Sequence, residues 1–547
     1  MSMMTLLAAA AVAVMGPAGE KVCEVTPPDL PEGVVVETTN VAQAVAWRLR
    51  FTGTGERKIS HEAWTFDFGK DYKCWPVSHA QGQYLPKTLG TLASMKRAPG
   101  LERVLKGDRN QNYITAYPDT AESPLVVEGD GFVAALGDAG CLDYARIRFA
   151  SGDRPGRIRT VQEGDAVVQA PYVTPWRYIH VAKDAVALAN AQPAVMDALN
   201  APSKLSDTSW VKPGKVMRVA RLTTDDARAV VDFAKANNIP YIELDSGWYG
   251  NERSGDPLKP GLAPEKLARG EHLDLLAVLA YARQKDVGVI LYVNREPLRK
   301  NRDAILDQLA AWGVKGIKFG FVQVGSQACR QWMTDAIEAA AARHLLVDIH
   351  DEYRLTGIEK TYPHIMTVEG IHGNEEMPPA AHNAALAFTR FLDGPGDYTP
   401  CWTVNRIQTT CAHQLAMPAV YTSGWQFLFW YQRPADIRDP VGALDFWREI
   451  PTVFDETRFL QGTIGETVVV ARRAGTKWFV GALNAGETRT LTVPLDFAGT
   501  VPRKVRLFRD ADPSDTKPCA PVAHETCVTD KLVVPCAANG GFAAIVE

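Results

Sequence analysis

HDEYRLTGIEKTYPHIMTVEGIHGNEE, residues 350–376, follows one short apolar run, LLVDI, and encloses a second, HIMTV. Asp351 and Glu352 come directly after the first run; Glu369 and Glu375 follow the second. Short apolar strands that end in carboxylates are what a parallel (β/α) barrel presents at its C-terminal face, where catalytic groups gather. Several convergent acids, with no obvious nucleophilic Ser or Cys, point to glycoside hydrolysis, to a hard-cation site, or to both. For any one of these residues a solvated acidic loop is the plainer reading. Their shared place after successive strands favours a site.

Working outward, the same grammar repeats upstream. Residues 225–237 carry Ala227, Val230, Val231 and Ala234 on one helical face, and Pro240 precedes the strand YIELD. Leu275, Leu276 and Leu279 mark a second helix before the strand at residues 289–293. Ile305, Leu306, Leu309 and Trp312 mark a third, which stops at Gly313 before a strand at residues 316–321. A fourth, around residues 332–341, leads to a strand at 345–349. Alternating helix and buried strand imply parallel βα units. A closed barrel is expected over an open sheet, because no glycine-rich phosphate loop occurs and the acids follow successive strands. Before this region, residues from about 30 to 205 read as short strands between Gly, Pro and Asp turns. After about Asp455, TVVVARR, KWFVGALN, RTLTVPLDF and KVRLF read as a small all-β domain. The expected division is a signal peptide at 1–20, a β domain at 21–208, a barrel at 209–452 and a β domain at 453–547.

Composition bounds the function. The chain has 547 residues, 22% charged and 46% hydrophobic, with net charge -4, ordinary values for a globular protein with a large core. No basic block suggests nucleic acid. The apolar run at residues 6–15, followed by Gly-Pro-Ala, has the form of a secretory h-region, although no Lys or Arg precedes it. A periplasmic or secreted location is the expectation. No later stretch is apolar for long enough to span a bilayer. Nine cysteines leave at least one unpaired within the chain. Neither the cluster of Cys519, Cys527 and Cys536 nor the Cys401/Cys411 spacing reads as a zinc motif.

Longer motifs carry a family resemblance. WVKPGK at residues 210–215, YIELDSGWYG at 241–250 and KGIKFGFVQVGSQ at 315–327 belong to it, with HDEYRLTG, KTYPHIMTVEGIHGNEE and IPTVFDETRFLQGTIGETVVVARR. The chain resembles glycoside hydrolase family 97, a family of α-glucosidases and α-galactosidases, from about residue 110 to its end. The resemblance implies an N-terminal β-super-sandwich, a catalytic (β/α)8 TIM barrel and a C-terminal β-sandwich. It also implies a calcium ion (Ca2+) in the active site and an oligosaccharide substrate. Retaining members place an aspartate nucleophile at the end of the strand that here reads KGIKFGF, where this chain has Gly320. Inverting members lack it and keep a glutamate base after the histidine matching His350, where this chain has Asp351. The chain thus resembles the inverting, α-glucosidase-like subgroup, with a shortened base.

By the same resemblance Glu375 matches the general acid and Asp351 the base; the alternative for Asp351 is a calcium ligand or a partner of His350. Glu296, near the position of a second glutamate of inverting members, is a possible second base or an ordinary surface residue. Glu369, Glu375 and Asp351 match calcium ligands, and Asp138, in LGDAGCLDY, matches the one from the N-terminal domain. His350 matches a substrate contact. Asp245 and Trp248 are expected at the sugar, although a rim tryptophan is more often packing. Arg354 would bind a hydroxyl or pair with Glu352, with a structural role favoured. The N-terminal domain reads shorter than the family's usual one. The rivals are an α-galactosidase of the same family and a barrel that binds glycans without cleaving them.

Overall fold

The computed structural model describes residues 5–7, 11–94, 119–322 and 325–547. Its centre is a sheet of seven parallel strands: β1 (Gly214–Arg218), β2 (Tyr241–Leu244), β3 (Gly288–Asn294), β4 (Gly316–Val322), β5 (Leu346–Asp351), β6 (Ile365–Val368) and β7 (Trp425–Leu428). Neighbours pair in order from β1 to β6, and β1 also pairs with β7, so the sheet curls nearly shut. The eighth place, between β6 and β7, is held by irregular chain. Asp397 N–H donates to Val368 O at 3.1 Å and Gly396 N–H to Thr422 O at 2.8 Å. The expected barrel is therefore present with one stave irregular.

The helices form where their periodicity and caps place them. Helix α1 (Thr224–Ala236) starts at Thr223, whose hydroxyl accepts from Asp226 N–H, and Asp225 and Asp226 sit in its first turn, where the helix dipole favours them. It buries Ala227, Val230, Val231 and Ala234, the face read from the sequence. Asp274, Asn294 and Ser326 cap α2 (Leu275–Gln284), α3 (Arg295–Ala311) and α4 (Gln327–Ala341) in the same way. Val and Ile side chains on the strands are almost wholly buried, each contributing about 1.5–3 kcal/mol through removal from water.

The N-terminal domain stacks a nine-stranded sheet on a five-stranded one. Trp47, Phe66 and Phe149 lie in the core between them. Val12–Met15, which falls in the expected signal peptide, pairs with Lys21–Thr26, and Val14 is buried. The C-terminal domain is a six-stranded sheet with a two-stranded one beside it. It rests on barrel helix α5 (Cys411–Val420). The approach is close: a Cβ on Gly481 would lie 2.6 Å from Ala416 O. Among the described residues, no helix is long and apolar enough to cross a membrane.

Candidate active site

Acids collect at the C-terminal ends of the barrel strands. Asp245 follows β2, Asp351 ends β5, Glu369 follows β6, and Glu375 sits in the short 3-10 turn beyond it. His350, the penultimate residue of β5, is clamped between two of these strand ends. Its Nδ1 lies 3.0 Å from Glu369 Oε2 and its Nε2 3.1 Å from Asp397 Oδ2. Burial alone would strip its proton, but the facing carboxylates hold it on, and its pKa is pushed well up. Glu369 Oε2 also accepts the Asp351 N–H at 2.6 Å. Burial pushes Glu369 up to about 8, with His350 opposing.

Asp351 adopts φ +73°, a left-handed conformation that an L-residue holds only when its surroundings enforce it. Glu369 holds its N–H, and its own Oδ2 accepts Phe321 N–H at 2.5 Å. Burial pushes the Asp351 carboxyl up to about 6, with His350 and the Phe321 N–H opposing. Glu375 is partly exposed, and its Oε1 accepts the indole N–H of Trp430 at 2.8 Å. The Trp430 ring also carries two cations, Lys318 Nζ at 4.2 Å and the Arg218 guanidinium at 4.6 Å from its centre. Despite burial, those same two cations hold Asp245 well below the usual carboxylate range; Arg218 Nε is 3.0 Å and Lys318 Nζ 3.9 Å away. Beneath this layer Asp348 is buried with both oxygens unpartnered, and burial with Asp397 pushes it up to about 7.

The end of β4 is filled by an aromatic ring. A Cβ on Gly320 would lie 2.1 Å from Tyr292 Cε2 and 2.2 Å from its hydroxyl oxygen. Tyr292 donates to Glu252 Oε2 at 2.8 Å. The N-terminal domain braces the loop that carries the acids. Glu352 accepts from Ala80 N–H at 2.8 Å and faces His79 Nδ1 at 3.1 Å. His372 Nδ1 lies 2.9 Å from Gln81 O.

The structure brings together His350, Asp351, Glu369, Glu375 and Asp245 and keeps three other expected residues apart. Trp248 is 1% exposed and donates to Tyr292 O at 2.7 Å, so it packs in the core and offers no face to a sugar. Glu296 lies in the first turn of α3 and faces Arg295 at 3.3 Å and Arg299 at 3.7 Å. Asp138, wholly buried, turns its oxygens to Arg146 at 3.1 and 3.4 Å, with Arg177 at 3.8 Å. Arg354 reaches Ala80 O at 3.1 Å and Tyr84 hydroxyl at 3.3 Å, while Glu352 takes His79 and Ala80. Trp430, Lys318, Arg218, Asp397 and Tyr292 were not picked out from the sequence. Only Trp430 left a signal, an aromatic run placed after a strand.

For calcium the donor set fits in part. Carboxylate oxygens of Glu369 and Glu375 lie within 4.8 Å of each other, and two carboxylates suit a hard cation, whereas His350, with both nitrogens facing carboxylates, offers no lone pair. Asp138 does not fit, because its negative charge is already matched by two guanidinium groups.

Comparisons with known proteins agree along the chain. The model of the glycoside hydrolase 97 family matches residues 209–371. Models of the glycosyl-hydrolase 97 N-terminal domain and of the C-terminal, oligomerisation domain match 36–202 and 453–547. A protein of Streptomyces bingchenggensis named "Probable retaining alpha-galactosidase" is 33% identical over 521 residues, 91% of this chain and 79% of that one. A retaining alpha-galactosidase of Bacteroides thetaiotaomicron is 28% identical over 475 residues, 74% of this chain and 70% of its own. Among solved structures, a family 97 enzyme from Pseudoalteromonas sp. strain K8 in complex with acarbose superposes with a TM-score of 0.82 at 21% identity. That match covers 100% of this chain and 91% of the other. A beta-arabinopyranosidase gives 0.75 at 19% identity, with 100% and 90% covered.

Proposed function

The chain belongs to glycoside hydrolase family 97, and from that premise we propose that it hydrolyses a terminal α-glucosidic bond of an oligosaccharide with inversion at the anomeric carbon. The observation that carries the inverting reading is the filled space at Gly320. A retaining route needs a carboxylate to attack the sugar carbon. At the strand end where the family resemblance would put one, Tyr292 stands within 2.2 Å of the missing Cβ.

In the single displacement, a water oxygen attacks the anomeric carbon and its proton passes to Asp351. The bond to the leaving oxygen breaks as Glu375 delivers a proton to it. A carboxyl pushed up to about 6 is ionised at neutral pH yet basic enough to take that proton. Trp430 N–H occupies one oxygen of Glu375, which leaves the other to carry the acid proton. Asp245, charged and only partly buried, and His350 are suited to hold sugar hydroxyls beside the acids, while Arg218 and the buried Lys318 hold Asp245 in place. Glu369, and Glu375 in its ionised form, would hold a calcium ion, whose charge would fix the acid loop. Export belongs to the proposal and rests on the apolar run at residues 6–15; a mature N-terminus starting after it would support that part.

A second reading, an α-galactosidase that retains the anomeric configuration, is favoured by the names of the two curated relatives, both of them named as retaining alpha-galactosidases. Proton NMR of the first sugar released from aryl α-glucoside and aryl α-galactoside separates the readings. Initial β-anomer supports inversion by Asp351 and Glu375, and initial α-anomer overturns it. Turnover of the galactoside alone selects the second reading, and sugar binding without any turnover would mean a barrel that only binds.

A further inference from the structure

We propose that Cys411 and Cys519 form a reversible disulfide that fastens the C-terminal domain to the barrel helix holding the acid loop. The two lie 108 residues apart in sequence. Cys411 opens α5, and Cys519 lies in the loop between strands Arg503–Asp510 and Val522–Thr529. Two backbone hydrogen bonds clamp the segments side by side: Cys411 N–H to Ala520 O at 3.1 Å, and Cys519 N–H to Thr409 O at 2.9 Å. Chains joined this way run about 5 Å apart, inside the roughly 4.4–6.8 Å between Cα atoms that a disulfide requires. The Cys411 thiol donates to Cys519 O at 3.5 Å. Cys519 takes φ +61°, and its sulfur turns inward, 3.2 Å from Val404 O.

The two sulfurs differ in access, which sets their order of reaction. Cys411 is 1% exposed, whereas Cys519 is half-buried. The neighbouring Cys411 side chain, against the opposing effect of burial, draws the Cys519 thiol down to about 7, so Cys519 supplies the thiolate. Its sulfur attacks one sulfur of an external disulfide of the glutathione class and expels one thiolate, leaving a mixed disulfide on Cys519. The expelled thiolate takes the Cys411 proton, and the Cys411 sulfur attacks the Cys519 sulfur and expels the second thiol. Two protein thiols are oxidised to one disulfide, and the external disulfide is reduced to two thiols.

The remaining cysteines offer no equal pair. Of the other seven, Cys23, Cys74, Cys141 and Cys536 are buried in β-domain cores, Cys401 is buried in the barrel with its thiol turned to Thr399 O at 3.4 Å, Cys329 is half-buried and Cys527 is exposed. The bond would also reach the site. Gln414, one turn along α5, accepts from Asn374 Nδ2 at 2.8 Å and from Cys401 N–H at 3.1 Å. Asn374 immediately precedes the proposed acid, Glu375.

The test treats the full-length protein with oxidised glutathione, alkylates free thiols, digests without reduction and reads the peptides by mass spectrometry. The expected result is a linked peptide joining residues 411 and 519, with alkylatable thiols falling from nine to seven. In Cys411→Ala and Cys411→Ser, Cys519 should instead keep its glutathione adduct, and the oxidised-minus-reduced shift in thermal midpoint seen in the wild type should vanish. A wild-type protein whose Cys519 retains glutathione, stays alkylatable, or links to another cysteine overturns the proposal.

Discussion

Replacing Gly320 with aspartate tests the geometry behind the inverting reading. The new Cβ would start 2.1 Å from Tyr292 Cε2, where 3.4 Å is the near limit of ordinary contact. Tyr292 is 4% exposed, and its hydroxyl donates to Glu252, so it has nowhere to swing without breaking that bond. Forcing a side chain into a packed site costs about 1–3 kcal/mol, and losing a buried hydrogen bond to an acid adds about 1.5–3 kcal/mol. The single variant should lose about 3–5 kcal/mol, a fall of roughly 10 °C in the melting of the barrel, and should gain no retaining activity. Adding Tyr292→Ala opens the space, so the double variant should be less destabilised than the sum of the singles by more than about 1 kcal/mol. Thermal melts and the anomer of the first-formed sugar are the readouts. A Gly320→Asp enzyme that melts like the wild type and releases the retained anomer would refute the argument.

Trp430→Phe keeps the ring but removes the N–H held by Glu375, so kcat/KM should fall about 10–100-fold with the fold intact, because a hydrogen bond to a charged group contributes about 1.5–3 kcal/mol; unchanged kinetics would remove Trp430 from the machinery. Glu352→Gln weakens the brace between His79 and the Asp351 turn, and kcat should fall about 10–100-fold while KM stays near wild type; an equal rise in KM would mean that the brace shapes the binding pocket instead. Hydrogen bonds from Arg506 at 2.6 Å and Lys477 at 2.9 Å draw Glu449 down to about 2 from 4.5. A depressed carboxyl stabilises the fold above its unfolded pKa, and this contribution is lost as pH falls from about 4.5 toward 2. Because Glu449 is about one-third exposed, screening leaves about 1 kcal/mol of it. Wild type minus Glu449→Gln should therefore show a stability gap at pH 7 that closes below pH 4.5, and a gap that widens with acid would contradict the assignment.

Much of the protein was legible as sequence because its signals are local. Helix α1 follows from the period of Ala227, Val230, Val231 and Ala234 and from the Thr223 cap, and both need only neighbours along the chain. The acids at residues 351, 369 and 375 were legible for the same reason, since they lie at the end of an apolar strand or in the loop that follows one, and the strand's direction fixes which end faces the site. The partners of those acids were not, because they come from distant elements. Trp430 reaches Glu375 across 55 residues and Asp397 reaches His350 across 47. Asp138 shows the reverse case: its motif suggested a metal ligand, but folding set it against Arg146 and Arg177, and charge neutralisation in a buried site decided its partners. Trp248 stood after a strand as a sugar platform should, yet the chain closed over it. Sequence determined the strands, the helices and the positions of the acids, whose signals lie within a few residues. Only the tertiary structure decided which charges face one another and that Tyr292 occupies the space beside Gly320, because those contacts are set by how separate elements pack.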